Sequence, residues 1–382
     1  MITDKNMCSG CGACYNICPQ NCINMEEDEE GFLYPKIDNE KCINCGKCKK
    51  VCPINKEYKG KTIGKAFACY NKNTEERLKS SSGGIFCLLA KYVVDNEGIV
   101  FGAALDKLVV KHIKITKEDE IWRLQGSKYV QSDVGNTFKE VKKYLSEGRL
   151  VLFSGTPCQI NGLNCFLDKE YSNLVMVDVI CHGVPSPLVW QKYLSCLNVI
   201  NNDNVNINFR DKESGWKSYS FSISYKSRKK FTEVFYENSY MRAFLNNLTL
   251  RKSCYNCHSK SKEKISDITL ADFWGINSVD STMNDDKGIS LMLVNTNKGR
   301  DILKKIENKI LIKEVDFDNA VSHNKSIYES AEMPNERNYF FEDLKKEAFI
   351  NVVNKYLPQE RFHTIKSTIR KMKRLIKRII LK

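Results

Sequence analysis

Cysteine is the residue around which this sequence is organised: 17 of 382 residues, most of them in repeated short spacings. Cys8-x2-Cys11-x2-Cys14-x3-Cys18 is followed by Pro19, and the run returns as Cys42-x2-Cys45-x2-Cys48-x3-Cys52 with Pro53. In such a run three thiolates grip one [4Fe-4S] cubane from a tight loop and the fourth reaches the other cubane. This assigns Cys8, Cys11, Cys14 and Cys52 to one cluster, and Cys42, Cys45, Cys48 and Cys18 to a second. Sets of four soft thiolates also suit zinc, but the doubled spacing with its prolines is the iron–sulfur signature. The chemistry predicted is electron transfer. Gly10, Gly12 and Gly46 fit backbone that approaches sulfur closely, and Cys22, outside the pattern, reads as a packed thiol.

Further along, Leu150–Phe153 reads as a short apolar strand ending in Ser154-Gly155-Thr156-Pro157-Cys158-Gln159. Leu174–Ile180 reads as a second, ending in Cys181-His182-Gly183-Val184-Pro185. Both cysteines sit just past strand ends, where open α/β sheets place their ligands. Ser82-Gly83-Gly84 precedes an apolar helical segment, Ile85–Val94, the order a phosphate-binding helix start requires, although a Gly pair alone also makes a plain turn. Cys254-x2-Cys257 is followed by His258, which also matches a c-type haem attachment pattern; covalent haem belongs to exported proteins, and no export signal is seen.

The elements that must position these residues come next. The length suggests two or three domains with real cores. Apolar content of 42% and charge of 28% describe a globular chain. Met1 runs into the cysteines without a charged-then-apolar segment, and no stretch reaches the ~20 apolar residues of a membrane helix. A cytoplasmic, reduced protein is expected, where clustered cysteines bind metal rather than pair. The Glu26–Glu30 run before Gly31 reads as an exposed turn without chemistry, and residues 54–64 as a linker. The formal charge is +14. Eight Lys/Arg and no acids fall between Ile365 and Lys382, with isoleucines at helical spacing. That segment reads as a helix for peripheral contact with anionic lipid at the inner membrane surface, or as one packing on its own domain. Nucleic acid is not expected, because the basic residues lack a reader motif.

Several motifs together carry a resemblance: Ser-Ser-Gly-Gly at 81–84, Gln-Gly-Ser-Lys-Tyr-Val-Gln-Ser at 125–132, Gly-Thr-Pro-Cys-Gln at 155–159, and Cys-His-Gly-Val-Pro-Ser-Pro at 181–187. Phe-Arg-Asp-Lys at 209–212 with Gly215-Trp216, Cys-x2-Cys at 254–257 and Asp-Ile-Thr-Leu-Ala-Asp-Phe-Trp-Gly at 267–275 complete it. The chain resembles the coenzyme F420 hydrogenase/dehydrogenase beta subunit family, fused to an N-terminal two-cluster bacterial ferredoxin domain. The resemblance runs from residue 1 to about residue 300.

It implies a mixed α/β (α+β) architecture: a ferredoxin domain at 1–57, an FAD phosphate-binding region at 58–148, a region for FAD and a cluster at 149–345, and the basic tail at 346–382. It implies FAD and a third [4Fe-4S] cluster on Cys158, Cys181, Cys254 and Cys257, which as thiolates make a complete ligand set. A four-cysteine zinc staple and unliganded buried thiols remain the alternatives. For FAD, Ser82, Gly83 and Gly84 would take the pyrophosphate through backbone N–H groups. Gln125, Gly126, Ser127, Lys128, Tyr129, Gln131, Ser132, Gly155, Thr156 and Pro157 would complete the cofactor site, with Lys128 as a charge and Tyr129 for stacking. Lys128 and His182 are the catalytic candidates, although a lone histidine beside a cluster cysteine is more often a hydrogen-bond donor to its surroundings.

Two functions follow. One is an oxidoreductase moving electrons between a ferredoxin or other redox protein and a small-molecule substrate, F420-type deazaflavin being one class. The other is a non-catalytic relay subunit that wires electrons to a separate catalytic protein.

Overall fold

A computed structural model describes residues 4–56, 60–62, 64–199, 205–226 and 229–358. The two cysteine runs fold alike. Gly12 (φ 76°) starts the short helix Ala13–Ile17, and Gly46 (φ 72°) starts Lys47–Lys50. Each glycine takes the left-handed conformation that side chains avoid, and so sets the third cysteine of its run one step into a helical turn. Between them, strands Ile23–Glu27 and Leu33–Ile37 form an antiparallel hairpin. Asp28 ties its turn by accepting from the N–H groups of Glu30 and Phe32, each at 3.0 Å.

This acidic turn is exposed at Glu26, Glu27 and Glu29, as expected from sequence, but its end is packed into the molecule. Phe32 is fully buried. Gly31 lies against the start of the helix Pro187–Cys196, so close that a Cβ there would meet the Leu188 backbone nitrogen at 2.7 Å. Glu30 is paired bidentately with Arg337, at 2.9 and 2.5 Å. Glu30 thus docks the turn on a buried cation, while Glu26, Asp28 and Glu29 pair with the more exposed Lys36, Lys5 and Lys345.

The larger part is built on one eight-stranded sheet. Its order is Ile310–Val315, Lys65–Asn71, Ser290–Val294, Ile268–Asp272, Leu174–Val179, Val151–Gly155, Ile99–Asp106, Val109–Ile115. The four strands from Ile268–Asp272 to Ile99–Asp106 are mutually parallel, and antiparallel strands flank them on both edges. Strands from both sides of residue 148 thus interleave in one sheet. The parallel strands are apolar on both faces, as strands covered on both sides must be. Val100, Leu152, Val175 and Val177 face the helices Ile85–Asp95 and Asn297–Ile306. Phe101, Phe153, Leu174 and Met176 face the helices Thr137–Ser146 and Pro157–Leu167. The second face also receives Cys11, Ala13 and Val51, so the ferredoxin module is part of this core.

A three-stranded antiparallel sheet, Val205–Asp211, Ser220–Tyr225 and Phe231–Val234, packs an aromatic core of Trp190, Tyr193, Phe209, Phe221 and Tyr240. The helix Phe349–Tyr356 adds Phe349, Val352 and Val353 to it. The basic segment Ile365–Lys382 lies outside the described residues. No helix among the described residues is long and apolar enough to cross a membrane.

Candidate functional site

Parallel strands present their carboxyl ends on one side of a sheet, and the turns that follow can converge there. Val151–Gly155 ends in Thr156, whose side chain makes a capping box with Gln159 at the start of Pro157–Leu167. Cys158 stands in the first turn of that helix. The neighbouring strand Leu174–Val179 runs out into Cys181, and the loop through Cys254 and Cys257 folds over both. Cys158, Cys181, Cys254 and Cys257 all line one pocket of about 370 Å³. Among the described residues no three Cys, His, Asp or Glu side chains close on a point fit for a single metal ion.

Burial raises the pKa of the Cys158, Cys181 and Cys254 thiols, that of Cys254 to about 12, and repulsion from the neighbouring thiols adds to it. Bringing thiolates together here therefore needs positive charge. Lys260 supplies some: its ammonium donates to Glu329 O at 2.6 Å, and burial pulls its pKa down while Cys181, Cys257 and Cys254 pull it up. The same pocket also holds Arg251 and Lys264, with two carboxylates, Asp178 and Glu263, in its lining. The ferredoxin cysteines Cys8, Cys11, Cys14 and Cys52 are linked in the same way. Burial and then the charge of Cys8 and Cys52 push Cys14 up to about 12; burial also raises Cys11, with Cys14, Cys8 and Cys158 adding to the rise. A Cβ on Gly162 would meet Cys11 Sγ at 2.9 Å, so the helix carrying Cys158 needs glycine to lie against the first cysteine run. Cys18 lies 3.3 Å, sulfur to sulfur, from Cys22, a buried thiol of the same module.

Beside the cysteine pocket lies a larger cavity of about 730 Å³. The segment Cys181–Val184 lines both and forms their shared wall. Ser82, Gly84, Gln125, Gly126, Ser127, Lys128, Tyr129, Ser132, Gly155, Thr156 and His182 line the cavity, as does the first turn of the helix Ile85–Asp95. An unpartnered helix start with a buried ammonium beside it favours an anionic group. Burial brings the Lys128 pKa down to about 7, its ammonium donating to Gln125 O at 2.7 Å and Arg123 O at 3.1 Å.

Three expected cofactor residues are elsewhere. The Gly83 N–H is donated to Ser290 Oγ, and its Cα packs on the Cys69 carbonyl, so it shapes the loop without lining the cavity. Gln131 turns to the ferredoxin module, donating to Ser9 O at 3.2 Å and accepting from Arg251 at 2.9 Å. Pro157 lines the cysteine pocket. His182 is held by Asn247 Oδ1 at 2.6 Å, and burial lowers its pKa.

Sequence reasoning missed several lining groups. His112, Gln159, Arg210, Asp272 and Trp274 all face the cavity. His112 contacts Ser154 O and Ser132 Oγ, each at 3.0 Å, and burial pushes its pKa down to about 4, so the ring is neutral. Its only sequence signal was an inward position in the alternating strand Val109–Ile115. Arg210 and Asp272 lay inside recognised motifs, yet their 2.8 Å ion pair links segments far apart in sequence. Asp272 also accepts from Trp216 Nε1 at 2.7 Å, and the Trp216 ring stacks on Trp274 at 4.9 Å. Lys212 donates to Arg77 O, Ser82 O and Lys287 O, pinning the serine–glycine loop from beneath.

Residues 148–320 match the family model that describes the C terminus of the coenzyme F420 hydrogenase/dehydrogenase beta subunit. Residues 7–56 and 34–80 match two models of 4Fe-4S dicluster domains, so the N-terminal module is an iron–sulfur domain. The span matched to the beta subunit contains all four pocket cysteines, Arg210 and Asp272, whereas Ser82–Gly84 and Gln125–Ser132 lie before it. Among solved structures, a chain of the F420-reducing [NiFe] hydrogenase complex from Methanosarcina barkeri is similar at 15% identity and a TM-score of 0.46. That match covers 70% of this chain and 88% of that one. No curated protein matches.

Proposed function

We propose that the protein is an iron–sulfur flavoprotein oxidoreductase. In this reading electrons enter from a ferredoxin-like carrier at the N-terminal clusters, continue to a third [4Fe-4S] cluster on Cys158, Cys181, Cys254 and Cys257, and reach FAD in the adjoining cavity. A small molecule is the other electron partner, and an F420-type deazaflavin is one class that the family name suggests. The observation that carries the reading is the shared wall Cys181–Val184, which leaves a four-cysteine pocket and a ligand-sized cavity back to back. Bound FAD would supply the exchange between one-electron and two-electron chemistry.

The chain's own residues have definite parts in this scheme. The Ile85–Asp95 helix start and Lys128 receive the phosphates. Tyr129 is fixed for packing through its hydroxyl, 3.1 Å from Arg210, and its ring, 4.9 Å from Phe244. Arg210, Trp274 and the neutral His112 stand on other stretches of the cavity wall, where an anionic or planar substrate would be held and water excluded. At the entry end, Cys45 and Ile43 are exposed among Lys47, Lys49 and Lys50, a basic face suited to an acidic electron carrier.

The deciding experiment is anaerobic purification followed by iron, sulfide and flavin determination. About 12 Fe and one FAD per chain support the reading, with C254S falling to about 8 Fe. Absence of flavin after acid release overturns it. Reduction of the flavin by ferredoxin, with turnover of small acceptors restored only by a co-purifying protein, would instead indicate the relay role.

A further inference from the structure

Among the described residues four arginines are almost completely buried: Arg77, Arg210, Arg251 and Arg337. A buried cation needs an anion, because removal from water costs more than hydrogen bonds alone return. Three have one: Arg77 pairs with Asp285, Arg210 with Asp272 and Arg337 with Glu30. Arg251, with no exposure at all, has no carboxylate within ion-pair distance among the described residues. It makes four hydrogen bonds, all to neutral acceptors or sulfur: Nε to Cys8 O at 2.7 Å, Nη1 to Gln131 Oε1 at 2.9 Å, Nη2 to Leu33 O at 3.0 Å, and Nη2 to Cys8 Sγ at 3.9 Å. The guanidinium lies over the Tyr34 ring at 4.0 Å. On its other side it lines the pocket of Cys158, Cys181, Cys254 and Cys257, and its charge works against the burial that raises the pKa of Cys158 and Cys254. Gly10 is part of the arrangement, since a Cβ there would meet Arg251 Nη1 at 3.0 Å.

We infer that Arg251 is the shared counter-ion of two iron–sulfur clusters, the one held by Cys8 and the one proposed on Cys158, Cys181, Cys254 and Cys257, and that it raises both reduction potentials. The inference rests on the third-cluster reading for its second half only. The missing anion of Arg251 is then the pair of thiolate-bound clusters, whose negative charge grows on reduction. Net charge, hydrogen bonds to sulfur and solvent exposure set such potentials, and a desolvated guanidinium between two clusters acts on the first two. Arg251 is a positioning and tuning residue. It holds Cys8 against the main domain and favours the electron on these two clusters over the exposed one on Cys18, Cys42, Cys45 and Cys48.

The test is an electron-paramagnetic-resonance redox titration of the anaerobically purified full chain, with iron determined on each sample. R251Q is expected to weaken reduction of the Cys8 cluster and the third cluster at least tenfold, 59 mV for one electron. It should leave the Cys18/Cys42/Cys45/Cys48 cluster where it is. R251K, which keeps the charge but loses the fork, should shift both by less. Unmoved potentials in R251Q at full iron content overturn the inference, as does an equal shift of all clusters or an R251K as displaced as R251Q. Wild-type protein with about 8 Fe would refute the third-cluster reading, and the inference is then decided by the Cys8 cluster alone: a tenfold loss there upholds it, and no shift ends it.

Discussion

Removing the charge of Glu30 should loosen the ferredoxin module from the rest of the molecule. The Arg337 guanidinium has no exposure and the Glu30 side chain 12%, and the two meet through two hydrogen bonds. Loss of one partner from such a pair costs about 3–5 kcal/mol, because the survivor stays buried without its counter-charge. Glutamine retains one acceptor, and Arg337 keeps Leu250 O at 2.7 Å and Tyr255 OH at 3.0 Å, so E30Q belongs near the lower end, about 3 kcal/mol. With ~2.1 cal/mol/K of unfolding entropy per residue over 382 residues, that is a fall of about 4 °C in Tm if the chain melts as one unit. R337M should recover part of the loss in the E30Q background: methionine packs between Tyr255 and Phe341, which flank the guanidinium, and the neutral groups left short, the Leu250 carbonyl and the partly exposed amide of E30Q, cost about 1–3 kcal/mol each at most. The assay is anaerobic urea unfolding of the four proteins in the double-mutant cycle, followed by cluster absorbance and tryptophan emission. An E30Q within about 0.5 kcal/mol of wild type, the range of an ordinary surface change, would refute the reasoning. So would additivity of E30Q and R337M.

Three further outcomes are expected. G83A should lower stability and bound flavin together, because its Cβ would lie 2.6 Å from Cys69 O and 2.8 Å from Ser290 N; retention of full flavin content would count against the loop's role. In flavin-free protein between about pH 7 and pH 10, Lys128 and Lys212 are neutral in the fold, burial holding each near 7, but charged when unfolded. The unfolded state then binds more protons, so stability rises with pH across this window, and K128M should halve that rise in urea midpoints taken from pH 7 to 9. Charge reversal of Lys47, Lys49 and Lys50 should slow reduction by an acidic two-cluster ferredoxin by about 10-fold or more at low salt. Reduction by dithionite should not change, and equal slowing of both would place the entry elsewhere.

Much of the scheme was legible in the chain itself, and the reason is local geometry. A cubane ligated from one tight loop requires its cysteines at fixed short spacings, and a helical turn begun from a left-handed residue requires Gly12 and Gly46. Apolar runs that end in Cys158 and Cys181 marked the strands, and with them the sheet edge where ligands gather. None of this needs distant residues.

Tertiary structure decided whatever depends on pairs far apart in sequence. The acidic turn read as solvent-facing because Glu30 carries a charge, yet Arg337, 307 positions away, makes its burial tolerable. Gln131 sits in a motif with Lys128 and Tyr129 but turns to the ferredoxin module, where Ser9 O and the buried Arg251 engage the two ends of its amide. His112 and Arg210 become cavity walls only once the sheet order is set. Arg251 shows the difference most plainly: from sequence it is one of 60 basic residues, and only complete burial without a carboxylate identifies it as a cation awaiting its anion.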